Sequence, residues 1–355
     1  MIANFFLDNR IGGPHHYIKN INEIISLRRN KINYITCGKS SFSNFNLINL
    51  RFILKPLFIF EILLNITEIF ILIFRKKVKN IFFVHGIHNI APVIAGSLLG
   101  KKVYWFILET PSNLLIIIFK IFKLFFNFKT VVISKKIANQ LKVKKYIYLP
   151  PIINLNFWKR RNFEKYRQKK INILCVGNIN KIKGYDFLLE NLRRSKFNWT
   201  LKIVGAKINT QKKYLHKINS QIKEIESEKQ LCKIKLTGWQ SSKKLRHQYG
   251  TCDIFMLPSY SEGSPMALFE AMAMGCFCIA ARVGDVSRII VNGKNGLTFD
   301  HNKKSFNNSL RNYLKLNHKG ITRIKKRARK SIQDNLLDKN YYINFYKKVV
   351  LNKEI

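Results

Sequence analysis

Eleven short apolar runs, dominated by Ile, Val, Leu and Phe, recur along this chain with longer stretches of helical spacing between them. Six lie in the first half, at 2–7, 32–37, 80–85, 102–108, 130–134 and 146–149. Five lie in the second, at 171–176, 200–204, 233–237, 253–257 and 276–281. The runs are too short for helices, and most are continuous rather than alternating, which is the pattern of strands buried on both faces. Parallel strands need long crossovers, so the intervening helices imply βαβ units and a doubly wound α/β fold. Between the two series stands Leu149-Pro150-Pro151, followed by a basic stretch from Lys159 to Lys170. Consecutive prolines resist regular structure, so a domain boundary is expected there. The 355 residues suffice for two cores. The division expected is 1–160, 161–330 and a C-terminal segment 331–355, in which a helix over Asn335 to Val350 carries aromatics that would pack back on the first domain.

The second series carries the stretch richest in chemistry, Ser259 to Phe299, which begins S-Y-S-E-G-S-P-M-A-L-F-E-A-M-A-M-G. Ser264 suits a helix N-cap and Pro265 a first helical position, because the serine oxygen can take a free N–H and proline has none to lose. The helix would run through Glu270 and Met274 and stop at Gly275. Its start offers unpaired N–H groups and the positive end of the helix dipole, which favour a phosphate. Glu262 before the helix and Glu270 within it would flank that anion. Carboxylates accept hydrogen bonds from sugar hydroxyls, so the arrangement suits a nucleotide diphosphate with a polyhydroxylated group at each end. At the opening of the same half, Val176-Gly177 leads to Lys183-Gly184 and an amphipathic helix. That lysine would sit at the C-terminal edge of the sheet, where open α/β folds bind ligands. In the first half, Gly12-Gly13-Pro14 allows close backbone approach to a ligand or simply makes a turn.

The formal net charge is +45. It fits either a biased composition rich in Lys, Asn, Ile and Phe, or attraction to polyanions such as a diphosphate, an anionic leaflet or nucleic acid. The apolar segment 54–74 shows Glu61, Asn65, Glu68 and Arg75 at helical spacing opposite Phe58, Ile62, Ile66, Ile69 and Ile73. An amphipathic helix packed on the sheet is therefore expected rather than a membrane span. Asn113 to Phe128 has a narrower polar stripe, Asn113, Lys120, Lys123 and Asn127. Two readings fit it: a helix lying in a bilayer interface, or a deeply buried one. The six cysteines show no C-x-x-C or zinc-finger spacing, as expected of reduced, mostly buried thiols. The N-terminus reads as a first strand and lacks a signal-peptide pattern.

These residues resemble the glycosyltransferases of the family 4 type. The segment E-G-S-P-M-A-L-F-E is similar to their E-x7-E signature, with Glu262 and Glu270 as the two glutamates. V-G-N-I-N-K-I-K-G, L-K-I-V-G, I-K-L-T-G-W, D-I-F-M-L-P-S and N-G-K-N-G-L-T-F resemble further segments, as do I-G-G-P-H-H and V-V-I-S-K-K-I-A-N-Q-L in the first half. The resemblance implies a GT-B fold, α/β, with two Rossmann-like domains whose parallel sheets face a central cleft. The first domain would serve the acceptor and the second the nucleotide-sugar donor. It implies that Gly13 and Lys183 meet the donor diphosphate together with the N–H groups of Met266 and Ala267. Glu270 would hold the ribose and Glu262 would sit beside the transferred sugar. Gly177, Asn178, Gly238, Trp239, Gly263, Ser264 and Pro265 would complete the donor site, and Glu262 and Lys183 would be its catalytic pair.

The resemblance further implies a retaining reaction with no metal and no cofactor, the donor being UDP- or GDP-linked. Expected partners are a saccharide or lipid-linked saccharide acceptor and an anionic membrane surface, with no nucleic acid. The expected place is the cytoplasm, peripheral at the inner face of the membrane, in the assembly of surface polysaccharide. Asn178 stands where the family often has arginine, and Gly284-Asp285-Val286-Ser287-Arg288 stands where it has G-G-x-x-E. Leu108-Glu109-Thr110 stands where a histidine is common, so Glu109, His85 or His88 would line the acceptor side. Two other classes remain compatible with the chain, a nucleotide-sugar epimerase on the same architecture and a non-enzymatic basic protein that binds nucleic acid or anionic lipid.

Overall fold

The computed structural model describes residues 2–6, 32–37, 45–47, 58–76, 81–159, 170–229, 231–335 and 339–350. The fold is α/β and divides into two compact units, Met1–Ile152 with Leu337–Ile355, and Ile153–Leu336. The division falls at Ile152/Ile153 rather than at 160/161, because Ile153 and Trp158 pack into a core of the second unit. Likewise the second unit extends past residue 330 to Leu336.

The first unit is built on β1 (Ile2–Phe6), β2 (Ile32–Cys37), β3 (Phe45–Leu47), β4 (Ile81–His85), β5 (Lys102–Ile107), β6 (Lys129–Val132) and β7 (Ile147–Tyr148). All pair in parallel, in the order β3-β2-β1-β4-β5-β6-β7. Its described helices are α1 (Phe58–Lys76), α2 (Ala91–Leu98), α3 (Asn113–Phe125), α4 (Lys135–Leu141) and, much later in the chain, Lys339–Val350. Every residue of β4 is buried, which is why its sequence does not alternate. Trp105 packs tilted or edge-on against Phe119, Phe122 and Phe128, and its indole N–H donates to the Gly86 carbonyl at 2.9 Å. The last helix adds Tyr342, Phe345 and Val349 to this core, and the Tyr342 hydroxyl donates to the Pro150 carbonyl.

Helix α1 departs from the expected polar face. Asn65 is fully buried beside Ile69, whereas Leu63 and Ile71 are exposed. The helix is amphipathic by pattern but turned so that Ile62, Ile66, Phe70 and Ile73 meet the core only partly. In α3 the buried residues are Leu115 and Phe119, and the Ser112 hydroxyl accepts from the Leu115 N–H at the helix start. Its opposite face is apolar yet open, so α3 is not the deeply buried helix of the second reading. Among the described residues, no helix is long and apolar enough to cross a membrane.

The second unit carries β8 (Ile171–Val176), β9 (Trp199–Val204), β10 (Lys233–Leu236), β11 (Ile254–Leu257), β12 (Phe277–Ala281) and β13 (Leu297–Phe299). These too are parallel, in the order β10-β9-β8-β11-β12-β13. The helices are α5 (Tyr185–Arg193), α6 (Lys212–Glu228), α7 (Ser242–Thr251), α8 (Met266–Ala273), α9 (Val286–Ile289), α10 (Lys303–Lys315) and α11 (His318–Asn335). With these, the helix Lys339–Val350 of the first unit is α12. One core lies on each face of the sheet: β8 sends Ile173 and Cys175 to one and Leu174 to the other, as the two-residue period of a strand requires. The order reverses between β8 and β11, so loops diverge at that point and leave room above the strand ends.

Candidate functional site

The loops at the C-terminal edge of the second sheet are locked together at positions where only glycine fits. A Cβ on Gly205, just past β9, would stand 1.9 Å from the carbonyl oxygen of Gly177, just past β8. Gly184 has φ +64°, and a Cβ there would lie 2.1 Å from the Pro258 carbonyl. A Cβ on Gly284, past β12, would lie 2.0 Å from the Glu262 carbonyl. Such distances are far inside van der Waals contact, so the backbones touch directly. The Tyr260 N–H donates to the Ile182 carbonyl at 2.7 Å and ties the first loop to the loop after β11.

Within this frame Lys183 and Glu262 meet at the switch point. The Lys183 Nζ lies 2.7 Å from Glu262 Oε1, and the Ser259 hydroxyl donates to the same oxygen at 2.6 Å. Lys183 is held by a 3₁₀ turn, Lys181–Lys183, whose start is capped by the Asn180 side chain accepting from the Lys183 N–H. The lysine stem runs against Gly177, where a Cβ would come 3.1 Å from its Cε. Tyr185 donates to the Gly177 carbonyl at 2.8 Å and fixes that strand end.

Helix α8 begins one residue later than the sequence suggested. Pro265 is its N-cap and Ser264 precedes it, with the Ser264 hydroxyl buried and unpartnered among the described residues. Proline lacks a side-chain acceptor, so this cap leaves the first N–H groups, those of Met266 and Ala267, without intrahelical partners. At the other end Gly275 takes φ +66°, the left-handed conformation that stops the helix there. Glu270 points inward and is buried, and the Tyr249 hydroxyl on α7 donates to its Oε2 at 3.0 Å. Burial pushes the Glu270 carboxyl up to about 8, with the Tyr249 hydrogen bond pulling the other way. Low-dielectric surroundings penalise the anion, and one neutral donor offsets only part of that cost.

Asn178, at the position of the family arginine, accepts from the Ala206 N–H at 3.2 Å and joins the loops after β8 and β9. Gly238, past β10, has φ +71° and accepts from the Gly205 N–H at 3.0 Å. Trp239 beside it is 51% exposed. A continuous rim thus runs from Gly238 through Gly205, Gly177, Lys183 and Glu262 to Gly284. Gly263 lies on it, half-buried. Arg288 on α9 lies 3.6 Å from Asp285. Ser259, Asn180 and Gly205 lie in segments that carry the resemblance but are not among the expected site residues, and Tyr249 lies in none of them. Gly205 had a visible signal, a strand-terminal V-G, whereas a lone tyrosine or serine carries none.

The first-unit candidates are His85, the last residue of β4, and His88 and Glu109 on the loops after β4 and β5. His85 is buried, with its ring 4.7 Å from that of Phe106. His88 and Glu109 approach to 3.6 Å, the histidine half-buried and the glutamate exposed. Asn89, which the sequence reading passed over, is buried with both amide atoms unpartnered among the described residues, at a cost of about 1–3 kcal/mol for each such group. Gly13 lies outside the described residues.

The family whose model matches this chain is described as "Glycosyl transferases group 1", and the match covers residues 156–331, within the second unit. A 41.2 kDa protein of the cps region of Klebsiella pneumoniae is 26% identical over 72% of this chain and 65% of its own length. A glycosyltransferase of Methanocaldococcus jannaschii is 30% identical over 36% of this chain and 34% of its own length. The chain thus spans less than two thirds of these relatives. Among solved structures, Anabaena HepE in complex with UDP and glucose has a TM-score of 0.81 and 13% identity, with 99% of each chain covered. That likeness extends over both units, and the fold is GT-B. The residues matched by the family model include Lys183, Glu262 and Glu270.

Proposed function

We propose that the protein is a retaining glycosyltransferase that moves a sugar from a UDP- or GDP-linked donor to a saccharide acceptor during assembly of a surface polysaccharide. The observation that carries this reading is the Lys183–Glu262 pair, set at the sheet's switch point beside the start of α8. A diphosphate at that helix start meets the free N–H groups of Met266 and Ala267 and the buried Ser264 hydroxyl. It competes with Glu262 for Lys183, and Lys183 stabilises the charge that develops on the leaving nucleotide. Glu262, released from the lysine, is then placed to accept from hydroxyls of the transferred sugar. Glu270 accepts from the ribose, and Trp239 offers an exposed ring to the base. No divalent metal is needed where a lysine and helix N–H groups meet the diphosphate.

Retention is part of this proposal and rests on the resemblance. With the Ser259 hydroxyl still bound to Glu262 and Glu270 holding its proton below about pH 8, neither carboxyl is set as a covalent nucleophile, so a retaining reaction would run by displacement on the face that the nucleotide leaves. The polysaccharide role is supported by the relative from a cps region. The acceptor is carried on a lipid, and the enzyme works in the cytoplasm at the inner face of the membrane, using neither a cofactor nor a nucleic-acid partner. His85 and Glu109 line the acceptor side.

The test is a thermal-shift screen of nucleotide sugars, followed by an assay for nucleotide release. A true donor at 100 times its dissociation constant adds about 2.7 kcal/mol of stability. Release that requires an added saccharide supports transfer. Conversion of the donor without an acceptor points to epimerisation. Binding of nucleic acid with no nucleotide-sugar binding overturns the enzyme reading.

A further inference from the structure

Helix α3 has two apolar faces. One, through Leu115 and Phe119, enters the core of the first unit. The other is formed by Leu114, Ile117, Ile121, Leu124 and Phe125, all exposed, with Leu124 at 82% and Phe125 at 76%. These five recur at intervals of three and four residues, so they form a single stripe along the helix. The stripe continues onto α2. The Ser97 hydroxyl accepts from the Asn127 N–H at 2.7 Å, which sets the end of α3 beside Leu98, itself exposed. Isolated exposed leucines are ordinary, but a contiguous row of this kind marks a surface that something covers.

The charge around the stripe selects what covers it. Between Ala91 and Lys159 the sequence holds eleven lysines and a single acidic residue, Glu109. Lys120 is on α3 itself and is exposed, and Lys101, Lys102 and Lys129 flank the neighbouring strands. A second copy of this chain would bring the same positive charge to the contact, whereas an anionic bilayer supplies the opposite charge over a wide plane. Lysines beside an apolar stripe suit a helix lying at the depth of the headgroups.

We infer that the open face of α3 is a membrane-docking surface, with Leu114, Ile117, Ile121, Leu124 and Phe125 entering the acyl boundary of an anionic leaflet and the adjacent lysines meeting its headgroups. This deepens the peripheral placement proposed above by naming the surface, and it does not depend on the sugar chemistry. The test is flotation of the full chain with vesicles of phosphatidylcholine alone and with a one-third share of phosphatidylglycerol. The variants are Leu124→Ser/Phe125→Ser and, separately, Lys120→Glu. The wild type is expected to float with the anionic vesicles and not with the neutral ones. The double variant should lose at least tenfold in binding, and Lys120→Glu should weaken binding to the anionic vesicles and leave the remainder less sensitive to salt. Both variants should unfold at the wild-type temperature, because the replaced groups are exposed. Undiminished flotation of the double variant overturns the inference. So does a lipid-free dimer of the wild type that the double variant dissolves. Nucleotide-sugar binding, measured by thermal shift on the same samples without lipid, reports on the donor site alone, so its failure and a failure to dock are told apart.

Discussion

Replacing Glu270 by glutamine tests the reasoning about burial most directly. The folded-state carboxyl is raised from 4.5 to about 8, so between those values the folded protein holds a proton that the unfolded chain has released. Its stability contribution is therefore present below pH 4.5 and is lost as pH rises towards 8. The slope is about −1.4 kcal/mol per pH unit, so about 3 kcal/mol disappears between pH 5.5 and 7.5. The amide of Glu270→Gln does not titrate, and its oxygen can still accept from Tyr249. The difference in unfolding free energy, wild type minus variant, should thus fall by about 3 kcal/mol over that range and flatten above pH 8. For a unit of this size that corresponds to a melting-temperature difference of roughly 6–12 °C. The assay is urea unfolding at fixed ionic strength from pH 5.5 to 8.5, followed by tryptophan fluorescence. Trp158, Trp199 and Trp239 all report on the second unit. Histidine titration is common to both proteins and cancels. Parallel curves for the two proteins would show that Glu270 is ionised throughout, and the account of its site would fail.

Tyr249→Phe removes the hydrogen bond that favours the ionised form of Glu270, so the flattening of the same difference curve should move to higher pH; an unmoved midpoint assigns the bond no role. Lys183→Ala should weaken nucleotide-sugar binding by at least about tenfold, since a charged contact to phosphate is worth roughly 1.5–3 kcal/mol and Glu262 is left facing the diphosphate uncompensated. Titration calorimetry measures this, and a change under threefold would remove Lys183 from the site. Gly184→Ala should cost about 2–4 kcal/mol, because it combines strain at positive φ with a carbonyl contact that the backbone must move to relieve. A melting temperature within 2 °C of wild type would, at roughly 2–4 °C per kcal/mol, contradict the close approach of the two loops.

Much of the strand layout could be read from the chain. Ile32–Cys37 and Ile171–Val176 have the bounds their sequences suggested, because buried parallel strands are written as uninterrupted apolar runs between turn residues. Strands β3 and β13 were not anticipated because Phe45-Asn46-Leu47 and Leu297-Thr298-Phe299 are each interrupted by a polar residue and form no continuous apolar run. The pairing of Lys183 with Glu262 spans 79 residues, and no local rule brings them together. Only the reversal of strand order between β8 and β11 does so.

Composition and periodicity by themselves determined that this chain makes parallel α/β units with a glycine-lined loop edge, since burial on both faces and the need for crossover helices leave few alternatives. Tertiary structure decided the rest. It turned Asn65 inward and Leu63 outward on α1, moved the cap of α8 from Ser264 to Pro265, and left one of the two apolar faces of α3 open. Sequence spacing defines that a helix has faces. Which face meets the core depends on what the rest of the chain places beside it.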